Sequence, residues 1–146
     1  MILLDSSPMT EPVATKIAVL LRTDLPMWQK LNMTAFLVSG IAHTAPESVG
    51  EAYQDADGTK YLPMFGQPVL VFGTDSAGLT RSLDRALHRG VVPAVFTEEL
   101  FATGNDVDNR AAVAAVRLGD LRLAGLAVRA DRRDIDRITK GLRLHS

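Results

Sequence analysis

Short apolar blocks, each bounded by charge or by turn residues, alternate along this chain with stretches of helical period. Ile17-Ala18-Val19-Leu20-Leu21 lies between Lys16 and the triplet Arg22-Thr23-Asp24, and an uninterrupted apolar run of that length predicts a strand covered on both faces. Val69-Leu70-Val71-Phe72, closed by Gly73-Thr74-Asp75, repeats the pattern. Val91-Val92-Pro93-Ala94-Val95-Phe96 gives a third strand, in which Pro93 removes a ladder donor and so marks a sheet edge or the strand's first residues. Residues 121–128 supply a fourth.

Between these blocks the period lengthens. Over residues 27–42, Trp28, Leu31, Ala35, Val38 and Ala42 recur at three- and four-residue spacing, with Asp24 placed to cap the helix and Pro26 in its first turn. Asp75 heads a second helix in which Leu79, Leu83, Ala86 and Leu87 share a face, and Gly90 is placed to end it. A short helix is expected near residues 109–116. A last one, from about Asp131, buries Ile135, Ile138 and Leu142, with Gly141 near its end. Helical period disappears over residues 43–67, where Asp57-Gly58 between Tyr53 and Tyr61 signals a hairpin turn and hence a small β-ribbon or flap.

The order predicts an α/β fold: one domain over residues 16–146, with a mixed sheet of about four main strands and helices on both faces. Residues 1–15, rich in Ser, Thr and Pro, read as a flexible leader. A chain of 146 residues is long enough for one sizeable core.

Charge and cysteine usage narrow the partners. Sixteen Lys and Arg against seventeen Asp and Glu leave a net charge of −1, so no global positive field gathers a polyanion. Arg129, Arg132, Arg133, Arg137, Lys140 and Arg143 cluster near the C-terminus, but Asp131, Asp134 and Asp136 interleave with them and predict a solvated, internally paired helix face. The absence of cysteine removes disulfides and thiolate chemistry and fits a cytoplasmic location. With no run of 18 apolar residues, neither export nor membrane insertion is expected.

Candidate chemistry concentrates after the strands, since ligands of open α/β sheets bind beyond the carboxyl ends of parallel strands. Asp24, Asp75 and the segment Thr97-Glu98-Glu99 with Thr103-Gly104-Asn105-Asp106 would share that rim. Each also has a plain structural explanation: Asp24 and Asp75 as helix caps, Thr103 to Asp106 as a turn and cap. In the functional alternative Glu98 orients a water, Thr103 or Asn105 steadies a developing oxyanion, and Lys30 and Asp24 lie nearby. Asp55-Ala56-Asp57-Gly58 lacks calcium-loop ligands at Tyr53 and Met64 and reads as a turn. His43, His88 and His145 have no paired metal-ligand spacing, and Trp28 and Phe36 are expected in the core. No phosphate loop, nucleophile elbow or dinucleotide fingerprint occurs, so neither metal nor cofactor is expected.

Two resemblances add to this. The run Lys16-Ile17-Ala18-Val19-Leu20-Leu21-Arg22-Thr23-Asp24-Leu25-Pro26-Met27 is similar to the opening strand and turn of type 2 peptidyl-tRNA hydrolases, as are Gln67-Pro68-Val69 and the run from Ile135 to Leu144. Tyr61-Leu62-Pro63-Met64, Gln67-Pro68-Val69 and the run from Thr97 to Asn105 resemble signatures of a bacterial family, the domain of unknown function numbered two thousand, over nearly everything after the leader. The resemblance implies the hydrolase-like fold and no established activity. The chain departs from the hydrolases at two places. Trp28-Gln29-Lys30 replaces their glycine and lysine pairs, leaving Lys30 as the basic group one position out of register. Glu98-Glu99-Leu100-Phe101-Ala102 replaces their Asp-Ala-Gly-Arg-Thr, so that Glu98 stands for the aspartate, the arginine is missing and Thr103 is displaced by one. Without that arginine, affinity for tRNA phosphates falls, and tRNA is not an expected partner.

The expected function is therefore binding of an unidentified small molecule, or hydrolase-like catalysis, using Glu98, Thr103 and Lys30 as reacting groups with Asp24, Asp75, Asn105 and Asp106 around the ligand. The alternative is a noncatalytic regulatory or interaction module, a homodimer joined through flap residues Tyr61, Leu62, Met64 and Phe65. Peptidyl-tRNA hydrolysis ranks third.

Overall fold

A computed structural model describes residues 14–146, which form a single α/β domain. In chain order the elements are β1 (Thr15–Arg22), α1 (Met27–Thr44), β2 (Tyr53–Gln54), β3 (Lys60–Tyr61), β4 (Val69–Thr74), α2 (Ser76–His88), β5 (Ala94–Thr97), α3 (Asp106–Ala114), β6 (Leu123–Asp131), α4 (Arg132–Ile138) and β7 (Arg143–Leu144). A 3-10 turn, Glu98–Ala102, links β5 to α3.

Five strands form a mixed sheet in the order β5-β6-β1-β4-β7. β1 and β4 are parallel, with Ile17 opposite Val69, while β6 is antiparallel to both β1 and β5. β1, β4 and β5 therefore point the same way, and their carboxyl ends share one rim. Ile17, Val19 and Leu21 pack under α1, whereas Ala18 and Leu20 pack against α2 and α4, which is why this apolar run needs no polar alternation. β6 is graded in size: Ala124 and Ala127 join the α1 side, Leu123, Leu126 and Val128 the other. A Cβ on Gly125 would stand 2.6 Å from Met33 Sδ and 3.1 Å from the Leu20 carbonyl oxygen, so the glycine lets α1 sit close.

The structure departs from the sequence expectations in several elements. α1 buries Lys30, Met33, Leu37 and Ile41, while Trp28, Leu31 and Ala35 are exposed and Val38 and Ala42 half-buried. This helix carries apolar residues on nearly all sides, so spacing alone does not select the buried stripe. In α2, Leu79, Leu83 and Ala86 are buried but Leu87 is exposed. β5 begins only at Ala94, directly after Pro93, and lies at the sheet edge. α3 starts at Asp106, capped by Asn105, three residues before the expected 109. The last helix ends at Ile138, and Gly141, at φ +88°, turns the chain into a fifth strand, β7. The acidic partners of the C-terminal basic cluster look outward: Lys16 pairs with Asp136 and Arg89 with Asp134, while Asp131 caps α4.

The predicted ribbon is present as β2 and β3, with Tyr53 opposite Tyr61 and Gly58 at φ +84°. Asp55 holds its turn by accepting from the Asp57 and Thr59 amides and from the Tyr61 hydroxyl. The expected leader lies outside the described residues up to 13, and Thr15 already belongs to β1, where Gln67 Nε2 donates to its hydroxyl at 2.7 Å.

Candidate functional site

The rim formed by the three strand ends is organised around Arg22. Its Nε donates to Asp24 at 2.8 Å, and its Nη1 lies 2.5 Å from Glu98 Oε2 and 3.2 Å from the Leu123 carbonyl oxygen. Arg122 closes the far side, with Nη2 2.7 Å from Glu99 Oε2 and Nη1 3.9 Å from Glu98 Oε1. The hydrogen bond from Arg22 holds Asp24 below the usual carboxylate range, and Arg122 does the same for Glu99. Asp24 thus joins Glu98 through one guanidinium and does not cap α1, whose first turn has no side-chain cap.

Beside this network, α1, Phe96 and residues 100–109 line a cleft of about 350 Å³. Four aromatic rings form a row along it. Trp28 meets Phe101 edge to face at 6.2 Å between centroids, Phe101 meets Phe96 at 4.8 Å, and Phe96 meets Phe36 at 6.3 Å. Trp28 and Phe36 are 60 % and 57 % exposed, a correction to their expected place in the core: they sit on the flank of α1 that meets the cleft and not on the stripe that meets the sheet. Asn32, Thr103, Asn105, Asp106 and Asn109 supply the polar lining. The Thr103 hydroxyl stands between the Leu100 carbonyl oxygen, at 3.0 Å, and Oδ1 of Asn109. Asn105 accepts from the Asp108 amide as the cap of α3, and Asp106 is paired with Arg110. Past Phe36 the cleft continues into a more apolar groove of about 590 Å³ between α1, β5 and α3.

The residues singled out in the sequence therefore fall in four places. Asp24 and Glu98 belong to the arginine network; Thr103, Asn105 and Asp106 line the aromatic cleft. Lys30 points to a separate cavity, where its Nζ meets His145 Nε2 at 3.1 Å. Asp75 caps α2 by accepting from the Gly78 amide at 2.9 Å. The sequence places Arg22 beside Asp24 at the rim but assigns it no role, and sequence reasoning missed Arg122, Phe101, Asn32, Asn109 and His145 as members of these clusters. Arg22 carries a signal, a cation directly at the end of a buried strand; nothing local marks Asn109 or Arg122, whose roles depend on residues brought from distant elements. Among the described residues, no three His, Asp or Glu side chains stand close enough together to hold a metal ion, and no helix is long and apolar enough to cross a membrane.

Fold and cleft together define a small α/β domain with an aromatic-walled recess at the carboxyl rim of its sheet. Comparison with known proteins then places the chain: the family described as "Protein of unknown function (DUF2000)" matches residues 15–146, and the chain belongs to it. Among solved structures it is similar to the protein of unknown function Atu0240 from Agrobacterium tumefaciens strain C58, with 45 % sequence identity and a TM-score of 0.88 over 90 % of this chain and 98 % of that one. No curated protein matches the sequence.

Proposed function

We propose that the protein binds a small, neutral, planar molecule in the cleft between α1 and residues 100–109. The observation that carries this reading is the four-ring aromatic row, two of whose members are more than half exposed, facing a lining of amides and a hydroxyl. Exposed aromatic faces in a concavity favour flat apolar groups, and a few placed polar groups fix orientation. The charged lining residue, Asp106, is offset by Arg110, which favours a ligand without net charge.

Hydrolase-like catalysis by Glu98, Thr103 and Lys30 draws less support. Oε2 of Glu98 is taken up by Arg22, and Lys30 opens on a different cavity from Thr103, whereas a general base must reach the proton it abstracts. Peptidyl-tRNA hydrolysis stays last, since the rim cations are committed to carboxylates and phosphate affinity rests on free ones.

Trp28 is the chain's one tryptophan, so its emission reports on the cleft directly. Titration with neutral heteroaromatic fragments should give saturable changes in that emission, weakened by Asn109→Ala or Phe101→Ala. Fragments that bind without moving Trp28 emission, or with affinity indifferent to both substitutions, would show that the recess is not the ligand site.

A noncatalytic homodimer is the second reading, favoured by the flap, where Leu62 is 85 % exposed and Tyr61 and Met64 are exposed beside it; Phe65 instead packs against the core under α1. Light scattering decides this. A dimer converted to monomer by Leu62→Glu supports it, and a monomeric wild type removes it.

A further inference from the structure

The stripe of α1 that faces the sheet runs Lys30, Met33, Leu37, Ile41, so its first position is a lysine. Lys30 is 9 % exposed, its Nζ lies 3.1 Å from His145 Nε2, and among the described residues no side-chain carboxylate forms a salt bridge with it. Burying an ammonium carries a desolvation cost, and methionine or leucine would fill this position without that penalty. The Asp24 side chain feels the charge of Lys30, but Arg22 holds it at 2.8 Å. The chain's other lysines are conventionally placed: Lys16 pairs with Asp136, and Lys60 and Lys140 are exposed. A lysine in the stripe that faces the sheet departs from the local rule, and such departures are expected at functional positions.

A cavity of about 320 Å³ lies against Lys30, walled by Met27, Leu31 and Val71, with Thr34, His145 and the terminal Ser146 at its polar edge. It is on the other flank of α1 from the aromatic cleft. Nδ1 of His145 lies 2.8 Å from a backbone oxygen of Ser146, the last residue of the chain and so part of its terminal carboxylate. Donation there leaves the lone pair of Nε2 facing Lys30.

The geometry points to Lys30 as an amine that captures small, uncharged aldehydes or ketones as an imine. His145 Nε2 takes one proton from the Lys30 ammonium, and the free amine adds to the carbonyl carbon as the C=O π bond opens onto oxygen. A proton passes from nitrogen to that oxygen, giving the carbinolamine. The imidazolium returns its proton to the hydroxyl, water leaves, and the nitrogen lone pair closes the C=N bond. Ammonium and carbonyl thus become iminium and water, with His145 restored and no oxidant or reductant consumed.

Butanal with sodium cyanoborohydride, followed by peptide mass mapping of the intact chain, tests this. The expected result is an N-butyl group on Lys30 at a rate at least about tenfold above Lys60 and Lys140. His145→Gln and His145→Asn should each remove the preference while leaving Lys60 labelling unchanged. In denaturing urea the wild type should label all lysines alike, a comparison that holds even if both His145 variants fail to fold. Labelling of Lys60 and Lys140 ahead of Lys30 in the native protein, or an unchanged Lys30 rate in a folded His145 variant, overturns the assignment.

Discussion

Arg22 and Glu98 lie 76 positions apart in the chain, yet Nη1 of one sits 2.5 Å from Oε2 of the other. The bond spans the end of β6, the strand between β1 and β5 in the sheet, and the same Nη1 also reaches the Leu123 carbonyl oxygen. Arg22 is 13 % exposed at its side chain, unlike a surface ion pair. Removing it leaves a half-buried carboxylate and a carbonyl short of a donor, so Arg22→Met should lower stability by about 1–3 kcal/mol. Urea midpoints measure this. In a double-mutant cycle with Glu98→Gln, a coupling of at least about 0.5 kcal/mol is expected; strict additivity would mean the contact carries no energy.

Acid sensitivity follows from the same rim. The Arg22 hydrogen bond lowers the Asp24 pKa, and the Arg122 hydrogen bond lowers that of Glu99. For both, the unfolded chain takes up a proton at higher pH than the folded one, so each stabilises the fold fully above the ordinary carboxylate range. That contribution declines as pH falls from about 4 through the depressed values. Asp24→Asn and Glu99→Gln should flatten the acid limb of a plot of urea midpoint against pH, and leave the midpoint's pH dependence above that range unchanged. An acid limb as steep as wild type in both variants would assign the loss to other carboxylates.

How far the sequence discloses this molecule depends on the range of the interactions. β1 and β4 are legible because an uninterrupted apolar run, buried on both faces in β1 and partly covered in β4, needs no partner to announce itself. The ribbon is legible because Asp57-Gly58 encodes its turn locally. The face of α1 is not, since Trp28, Leu31 and Phe36 are as apolar as Met33 and Leu37, and only the small residues of β6 decide which side docks. β7 escapes notice because two residues carry no period. The candidate site divides in the same way. Thr103, Asn105 and Asp106 are found because they are adjacent in sequence, while Glu98 does not line their cleft and is held by arginines from the ends of β1 and β6 that no local pattern ties to it.

Asp75 and Asn105 separate capping from ligand contact. Each accepts a backbone amide three residues on, from Gly78 and Asp108. Replacing either by alanine should cost about 1 kcal/mol in thermal or urea unfolding. Asp75→Ala should do so without altering fragment binding at Trp28, since Asp75 lies outside the aromatic cleft. An Asn105→Ala protein of unchanged stability but weakened binding would mean that Asn105 serves the ligand and not the helix.

Gly125 tests whether the closeness of α1 to the sheet is built into the sequence. It sits opposite Leu21 in β1 and Phe96 in β5, and an added methyl would press on Met33 Sδ, Leu37 Cδ1 and the Leu20 carbonyl oxygen. Met33 can shift, but the carbonyl belongs to the central strand and cannot. Gly125→Ala should therefore destabilise by about 1–3 kcal/mol, the range for an overpacked core. Because α1 carries Trp28 and Phe36, moving it outward also widens the cleft, so Trp28 emission should shift in the folded variant. Adding Met33→Ala removes one obstacle and should recover less stability than a pure Met33 clash would return, since the backbone contact persists. Full recovery in that double variant would show that the side chain alone sets the distance between α1 and the sheet.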